Sequence, residues 1–218
     1  MTISLLSLNV AQPSVIGTWH GEEVVSAIAK KPITTNGVLV GRTAIEGDTQ
    51  VDLVYHGGED MAVYAYSADN WDWWQEKMKL TCRPGLFGEN LTLCGADEKS
   101  VRIGDRFAWG DVVLEVSQPR VPCFKLSIHT DRADVPAAMT LSGRCGWYCR
   151  VLKEGSAPSV GTLTQSVGVE EGPTIHEAFT AVFGAKPDIM RLQKIKVAPR
   201  LAKAWQRQVD KKIASVML

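Results

Sequence analysis

Short apolar runs, each closed by Gly, Pro or Asn, follow one another through the first two thirds of the chain. This punctuation restricts the fold more than any other feature. Ile3 to Val10 alternates, with a phase slip at Leu5-Leu6 of the kind a β-bulge makes. Val24 to Ala29, Val38 to Val40 and Ala62 to Tyr66 are further runs of strand length. Arg106 to Trp109 and Val112 to Val116 flank Gly110-Asp111, which predicts a hairpin with Val112, Leu114 and Val116 on one face. Gly146 to Leu152 puts Trp147, Cys149 and Val151 on one side, and Thr162 to Val167 is the last strand candidate. So many short strands predict a mainly β fold, a barrel or a sandwich, rather than alternating β-α-β units. One helix interrupts them. Ser67 suits its N-cap, Asp69 and Asp72 its first turn, and Trp71, Trp74 and Met78 form a stripe at i, i+3 and i+7 that reads as core packing.

The pattern changes near Gly172. Thr174-Ile-His-Glu177 is a capping box, and the helix it opens should stop at Gly184. Pro187 and Pro199 can each begin another helix. The expected organisation is a β domain over residues 1–170 and a small three-helix domain over 171–218. From Lys186 to Leu218 there are nine Lys or Arg and two Asp, a net charge of +7. This is either a solvated helical face or a dock for an acidic partner. Aromatic interleaving is limited to Trp205, so a nucleic-acid partner is not expected.

The whole chain of 218 residues balances 24 basic against 24 acidic side chains, so no global field favours nucleic acid or membrane. There is no basic leader followed by an apolar core, and no apolar run approaches the roughly 18 residues of a membrane span. A cytoplasmic protein is the expectation. Its five cysteines include no C-x-x-C pair, which argues against a disulfide framework and a zinc ribbon. No flavin, haem or iron–sulfur motif is visible, and Cys145-x-x-x-Cys149 is too sparse for a cluster.

Five stretches carry chemistry-bearing residues: Glu46-Gly47-Asp48, His56-Gly-Gly-Glu-Asp60, Phe87-Gly-Glu-Asn90, Ile103-Gly104-Asp105 and Gln118-Pro-Arg-Val-Pro-Cys123. Taken singly, the Gly-Asp pairs read as turns and His56 as a loop histidine. Gly57-Gly58 lacks two β-carbons in succession, which permits positive φ or close approach of a ligand to the backbone. Cys123 has unusual neighbours. Arg120 is permanently cationic, Lys125 adds a second charge, and Pro119 and Pro122 stiffen the loop. Such a setting suits a thiolate nucleophile or soft-metal ligand, although an inert buried cysteine beside an incidental arginine has the same sequence.

Taken together and in this order, the five stretches resemble the MOSC domains, the type found at the C-terminus of molybdenum cofactor sulfurases. Ser26 to Ile33 and the helical tail are similar to the bacterial YiiM-type members, in which a MOSC β-barrel precedes three helices. The resemblance runs from about residue 20 to 218. It implies a molybdenum cofactor (molybdopterin) held beside Cys123, with Cys123 as metal ligand or sulfur carrier. It implies further that Arg120, and more weakly Lys30, bind the pterin phosphate. Gly57, Gly58 and Asp60 would line the site, Glu89 and Asn90 would stand near the cofactor, and His56 would move protons. The implied activity is reduction of N-hydroxylated compounds, such as hydroxylaminopurines, to amines, with electrons from a separate donor protein. A Cys123 persulfide carrier is the alternative activity, and a non-enzymatic ligand-binding barrel is a third reading.

Overall fold

The structure, a computed structural model, describes residues 1–51 and 57–217. Its strands are β1 (Thr2–Val10), β2 (Ser14–Trp19), β3 (Glu22–Ser26), β4 (Lys31–Pro32), β5 (Gly37–Val40), β6 (Val63–Ser67), β7 (Leu91–Cys94), β8 (Arg106–Trp109), β9 (Val112–Pro119), β10 (Trp147–Lys153), β11 (Gly155–Pro158) and β12 (Gly161–Val167). Its helices are α1 (Trp71–Met78), α2 (Phe124–Thr130), α3 (Val135–Ser142), α4 (Ile175–Phe183), α5 (Ile189–Lys196) and α6 (Lys203–Met217).

Strands pair in the order β12-β8-β9-β10-β6-β7-β1, and β12 also pairs β1, so the sheet closes into a barrel. Closure removes the exposed edges that an open sheet would present. All of these pairs are antiparallel except β6–β7. That parallel pair needs a crossover, and α1 supplies it. The Leu5-Leu6 slip is a register shift between Leu5 and Ser7 against β7, which turns Leu6 outward and keeps Leu5 and Leu8 in the core. The β8–β9 hairpin turns at Gly110, in left-handed conformation at φ 60.

The aromatic stripe of α1 packs inward as expected. Trp74 is fully buried, lies tilted against Phe87 with ring centres 5.0 Å apart, and donates from Nε1 to the Tyr66 hydroxyl at 2.5 Å. Ser67 caps a short 3-10 turn ahead of α1 rather than α1 itself, its hydroxyl accepting from the Asp69 N–H at 3.2 Å. The Thr174–Glu177 capping box forms in full, and α4 ends at Gly184.

Several elements differ from expectation. Neither Pro187 nor Pro199 is the first residue of a helix. Asp188 caps α5 by accepting from the Arg191 N–H at 3.1 Å, and a left-handed Arg200 (φ 68) precedes α6. Helices α2 and α3 are absent from the periodicity reading. Helices of seven and eight residues carry too little pattern and too little intrinsic stability to announce themselves. They persist because Leu126, Val135 and Met139 are fully buried against the barrel.

Helix α4 packs on β9, and α6 packs on α4 and α5. Trp205 of α6 lies 6.2 Å from Phe179 and 6.1 Å from Phe183, ring centre to ring centre. The Ala202 N–H donates to the Ser117 carbonyl at 3.1 Å, which ties the start of α6 to the end of β9. Among the described residues, no helix is long and apolar enough to cross a membrane.

Candidate functional site

Strand β9 ends at Pro119, and the chain runs through Arg120 and Pro122 to Cys123, directly before α2. The loop therefore joins a barrel strand to a helix anchored in the core, and it holds Cys123 half-exposed at the barrel mouth. There Cys123 lines a cavity of about 110 Å³ together with Lys30, Asp48, Asn90, Arg120, Lys125 and the rings of Tyr64 and Tyr148. It also lines a neighbouring cavity of about 340 Å³ that reaches α6.

Arg120 is 5% exposed, and among the described residues no carboxylate lies within ion-pair distance of it. Its guanidinium lies 5.2 Å from the Tyr64 ring centre and donates to the Met139 sulfur at 3.3 Å. Burial opposes its charge, but Tyr64, Tyr148 and Cys123 outweigh that penalty and hold its pKa above the ordinary value. Burial likewise pushes the pKa values of Tyr64 and Tyr148 up.

The other four cysteines are unsuited to nucleophilic work. Burial raises the thiols of Cys82 and Cys149 to about 12 and that of Cys145 well above its ordinary value. A hydrogen bond to the Asp69 carboxylate raises Cys94. None of the five forms a disulfide.

Lys30 reaches the cavity, but its ammonium is paired with Asp48, and the pair is almost wholly buried. Asp48 also accepts from the Ala11 N–H at 2.9 Å and from the Asn90 amide at 2.9 Å. Asn90 donates in addition to the Asn9 carbonyl at 3.2 Å and accepts from the Tyr64 N–H at 3.1 Å. It lines the cavity with its amide committed to bracing Asp48 and β6. The Glu46-Gly47-Asp48 stretch is thus more than a turn, because its aspartate holds the only lysine on the β3–β4 connection that this network buries.

Several expected site residues stand elsewhere. Glu89 is fully buried but does not line the cavity. One of its oxygens accepts from the Gly85 N–H at 2.7 Å and the Thr92 hydroxyl at 2.8 Å, the other from the Phe87 N–H at 3.0 Å. It closes the loop rather than facing a ligand. The loop in turn presses on the lysine segment: Gly85 and Gly88 have φ of 77 and 80, and a β-carbon on Gly88 would sit 2.7 Å from Ile28. Asp60 pairs with Arg150 at 2.8 Å, within a network that also holds Glu115, Arg106 and Arg200. Gly57 and Gly58 are not in the cavity wall, and the Gly58 N–H donates to the Gln50 side chain at 2.9 Å. His56 lies outside the described residues. Asp105 is a turn residue, accepting from the N–H groups of Arg102 and Val169, both at 2.9 Å. Conversely, Tyr64, Tyr148 and Trp205 line the cavities without any local motif to mark them, and Gln118 does so from within the Cys123 stretch.

This arrangement has counterparts. The pattern of the MOSC domain family matches residues 52–175, more than half of the chain. The chain belongs to the MOSC domain family. Protein YiiM of Escherichia coli (strain K12) is 33% identical over 192 residues, 86% of this chain and 84% of that protein. The crystal structure of YiiM from Geobacillus stearothermophilus superposes with a TM-score of 0.80 at 29% identity, covering 97% of this chain and 99% of that one. A protein of Gibberella moniliformis (strain M3125 / FGSC 7600) named "Reductase" is 38% identical over 148 residues, 66% of this chain and 26% of its own length. The YiiM likeness extends over nearly the full length of this chain, and MOSC domains in general are associated with binding of the molybdenum cofactor.

The donor set suits that group. A half-exposed thiol is a soft ligand for a cofactor metal, and a buried guanidinium with no carboxylate partner among the described residues suits a phosphate. Among the described residues no three His, Cys, Asp or Glu side chains cluster as a metal cage.

Proposed function

We propose that the protein is a molybdenum-cofactor-dependent reductase of N-hydroxylated compounds. The observation that carries this reading is the shared cavity of Cys123 and Arg120, where a thiol and a buried cation with no carboxylate partner among the described residues line the same space. The reductase name of the fungal relative supports a redox activity.

In this reading Cys123 holds the metal through sulfur, and Arg120 holds the anionic phosphate with a planar fork of donors. Tyr64 and Tyr148 wall the site beside the guanidinium. Asp48 and Asn90 fix Lys30 and the rim of the barrel. When bound, the cofactor supplies two-electron removal of oxygen from an N–OH group, so that N–OH, two electrons and two protons give N–H and water. Proton delivery is assigned to His56, since imidazole is a common proton shuttle.

Protein matured in cells that make the cofactor should carry about one molybdenum per chain and reduce a hydroxylaminopurine, and protein from cells lacking it should do neither. A cyanide-labile sulfur without molybdenum would instead make Cys123 a persulfide carrier and end the reductase reading.

Electrons then come from a separate acidic protein. Lys203, Arg207 and Lys211 lie one turn apart along the exposed side of α6. Reversing all three to Glu should raise the donor's apparent KM by at least about tenfold while sparing turnover with a small chemical reductant. Unchanged donor kinetics would remove this face as the dock.

A further inference from the structure

The helical unit is tied to the rim of the site by a side chain of β10. Cys149 and Val151 face the core, so Arg150 between them points away from it. Each of its three guanidinium nitrogens donates to a different segment. Nε reaches the Asp60 carboxylate at 2.8 Å, Nη1 the Glu115 carboxylate at 2.8 Å, and Nη2 the Arg200 carbonyl at 3.0 Å. Asp60 belongs to the short turn that carries Met61, and Met61 lines both cavities beside Cys123. Arg200 stands in the lead-in to α6.

Both ends of this link are themselves held. Glu115 is paired in register with Arg106 on one side and Arg150 on the other, and its nearly buried carboxylate also meets Arg200 at 3.3 Å. Arg200 has a φ of 68, a conformation that a residue with a β-carbon keeps only where its surroundings fix it. The Ile103-Gly104-Asp105 stretch makes room for it: a β-carbon on Gly104 would stand 3.1 Å from the Arg200 Cδ. A second connection runs beside the first. The Ser117 hydroxyl donates to the Asp60 carbonyl at 2.5 Å, and the Ser117 carbonyl accepts from the Ala202 N–H at 3.1 Å. A guanidinium fork fixes direction as well as distance, which a lysine ammonium does not.

We infer that Arg150 is a positioning residue that makes the lead-in to α6 a support of the Asp60–Met61 wall. The helical unit then sets the shape of the cavities as well as presenting a basic face. Arg150 lines neither cavity and acts through Met61. A disturbance at Arg200 reaches Met61, and one at Asp60 reaches the start of α6, although among the described residues no ion pair joins Asp60 to Arg200. The role in turnover rests on the reductase reading, but the link itself does not.

The test is hydrogen exchange read by mass spectrometry on the full chain without cofactor. Arg200→Gly accommodates the left-handed backbone and removes the guanidinium, and Asp60→Asn removes the carboxylate charge. Arg200→Gly should speed exchange in residues 57–62, and Asp60→Asn in residues 198–204, each by at least about tenfold, while α4 keeps its protection. Arg150→Gln should speed both segments, and adding either other change to it should do nothing more at the far segment. Arg150→Lys should restore neither segment, since one ammonium cannot span three partners. If Arg150→Gln does not fold, Arg200→Gly and Asp60→Asn decide alone. Exchange that rises only beside each substitution, or by the same factor throughout the chain, overturns the link. With cofactor loaded and a small chemical reductant, Arg150→Gln should raise the substrate KM about tenfold and leave kcat within about twofold, as expected when a wall is moved and not a reacting group. An unchanged KM overturns the positioning role. Molybdenum content is read on the same proteins: absent metal with linked segments sinks the reductase reading alone, and bound metal with turnover but unlinked segments sinks the link alone.

Discussion

Cys123→Ser is expected to leave a folded protein that retains no molybdenum above background and reduces N-hydroxylated substrates at least about a hundredfold more slowly. Even residues that merely orient metal ligands cost 10–100-fold when changed, and this substitution removes the ligand itself. Serine is close in size, but its hydroxyl stays protonated near neutrality and is a harder ligand than a thiolate. The folded state should tolerate the change, because Cys123 is half-exposed in a loop outside the apolar core. Cys145→Ser and Cys149→Ser make the matching controls. Their thiols are 0% and 2% exposed, so serine there puts a hydroxyl among core side chains. Those two variants should lose stability, with metal content per folded chain unchanged. Elemental analysis, a turnover assay and a denaturant titration on the three variants separate the cases. Full metal occupancy and wild-type turnover in Cys123→Ser would contradict the assignment.

Asp48→Ala is expected to be the most destabilising single change at the site, at about 3–5 kcal/mol in a denaturant titration at neutral pH. The Lys30 and Asp48 side chains are 9% and 7% exposed, and removing the aspartate strands a buried ammonium. It also strips the Ala11 N–H and the Asn90 amide of an acceptor. The pH dependence follows from Lys30. Burial pulls its pKa below the ordinary lysine value, with Asp48 and Glu89 opposing. Between that lowered value and about 10.5, the unfolded chain binds more protons at Lys30 than the folded chain, so the lysine's contribution to stability rises with pH across that window. Without Asp48 the folded value drops further and the window widens towards neutrality. The gap between wild type and Asp48→Ala should therefore narrow as pH is raised from neutral to about 10, as the stranded lysine loses its charge. A gap that stays constant over this range would mean that Lys30 carries no buried charge in the variant.

The sequence makes some of this legible and not the rest, for reasons visible at particular residues. The hairpin at Gly110, the slip at Leu5-Leu6 and the box at Thr174 are local signals, each complete within a few residues, and all three are present in the fold. Helices α2 and α3 lack such a signal because they are held by the barrel beneath them. Glu89 and Asn90 stand in one motif, yet the first satisfies its own loop and the second braces Asp48, a division that depends on which way each side chain turns. Asp60 is drawn to Arg150, a partner ninety residues away along the chain that no spacing rule would find.

By itself the sequence determined the run of strands, the stop and start of α4, the family and the loop that carries Cys123. These rest on side-chain periodicity and backbone preference, which act between near neighbours. The tertiary structure alone decided that β1 meets β12, that β6 lies parallel to β7, that among the described residues Lys30 has a carboxylate partner while Arg120 has none, and that Gln118 and Trp205 line one cavity. Those outcomes depend on which distant groups burial forces together, and the energy of a charge or a polar atom is set by its surroundings in space, not by its place in the chain.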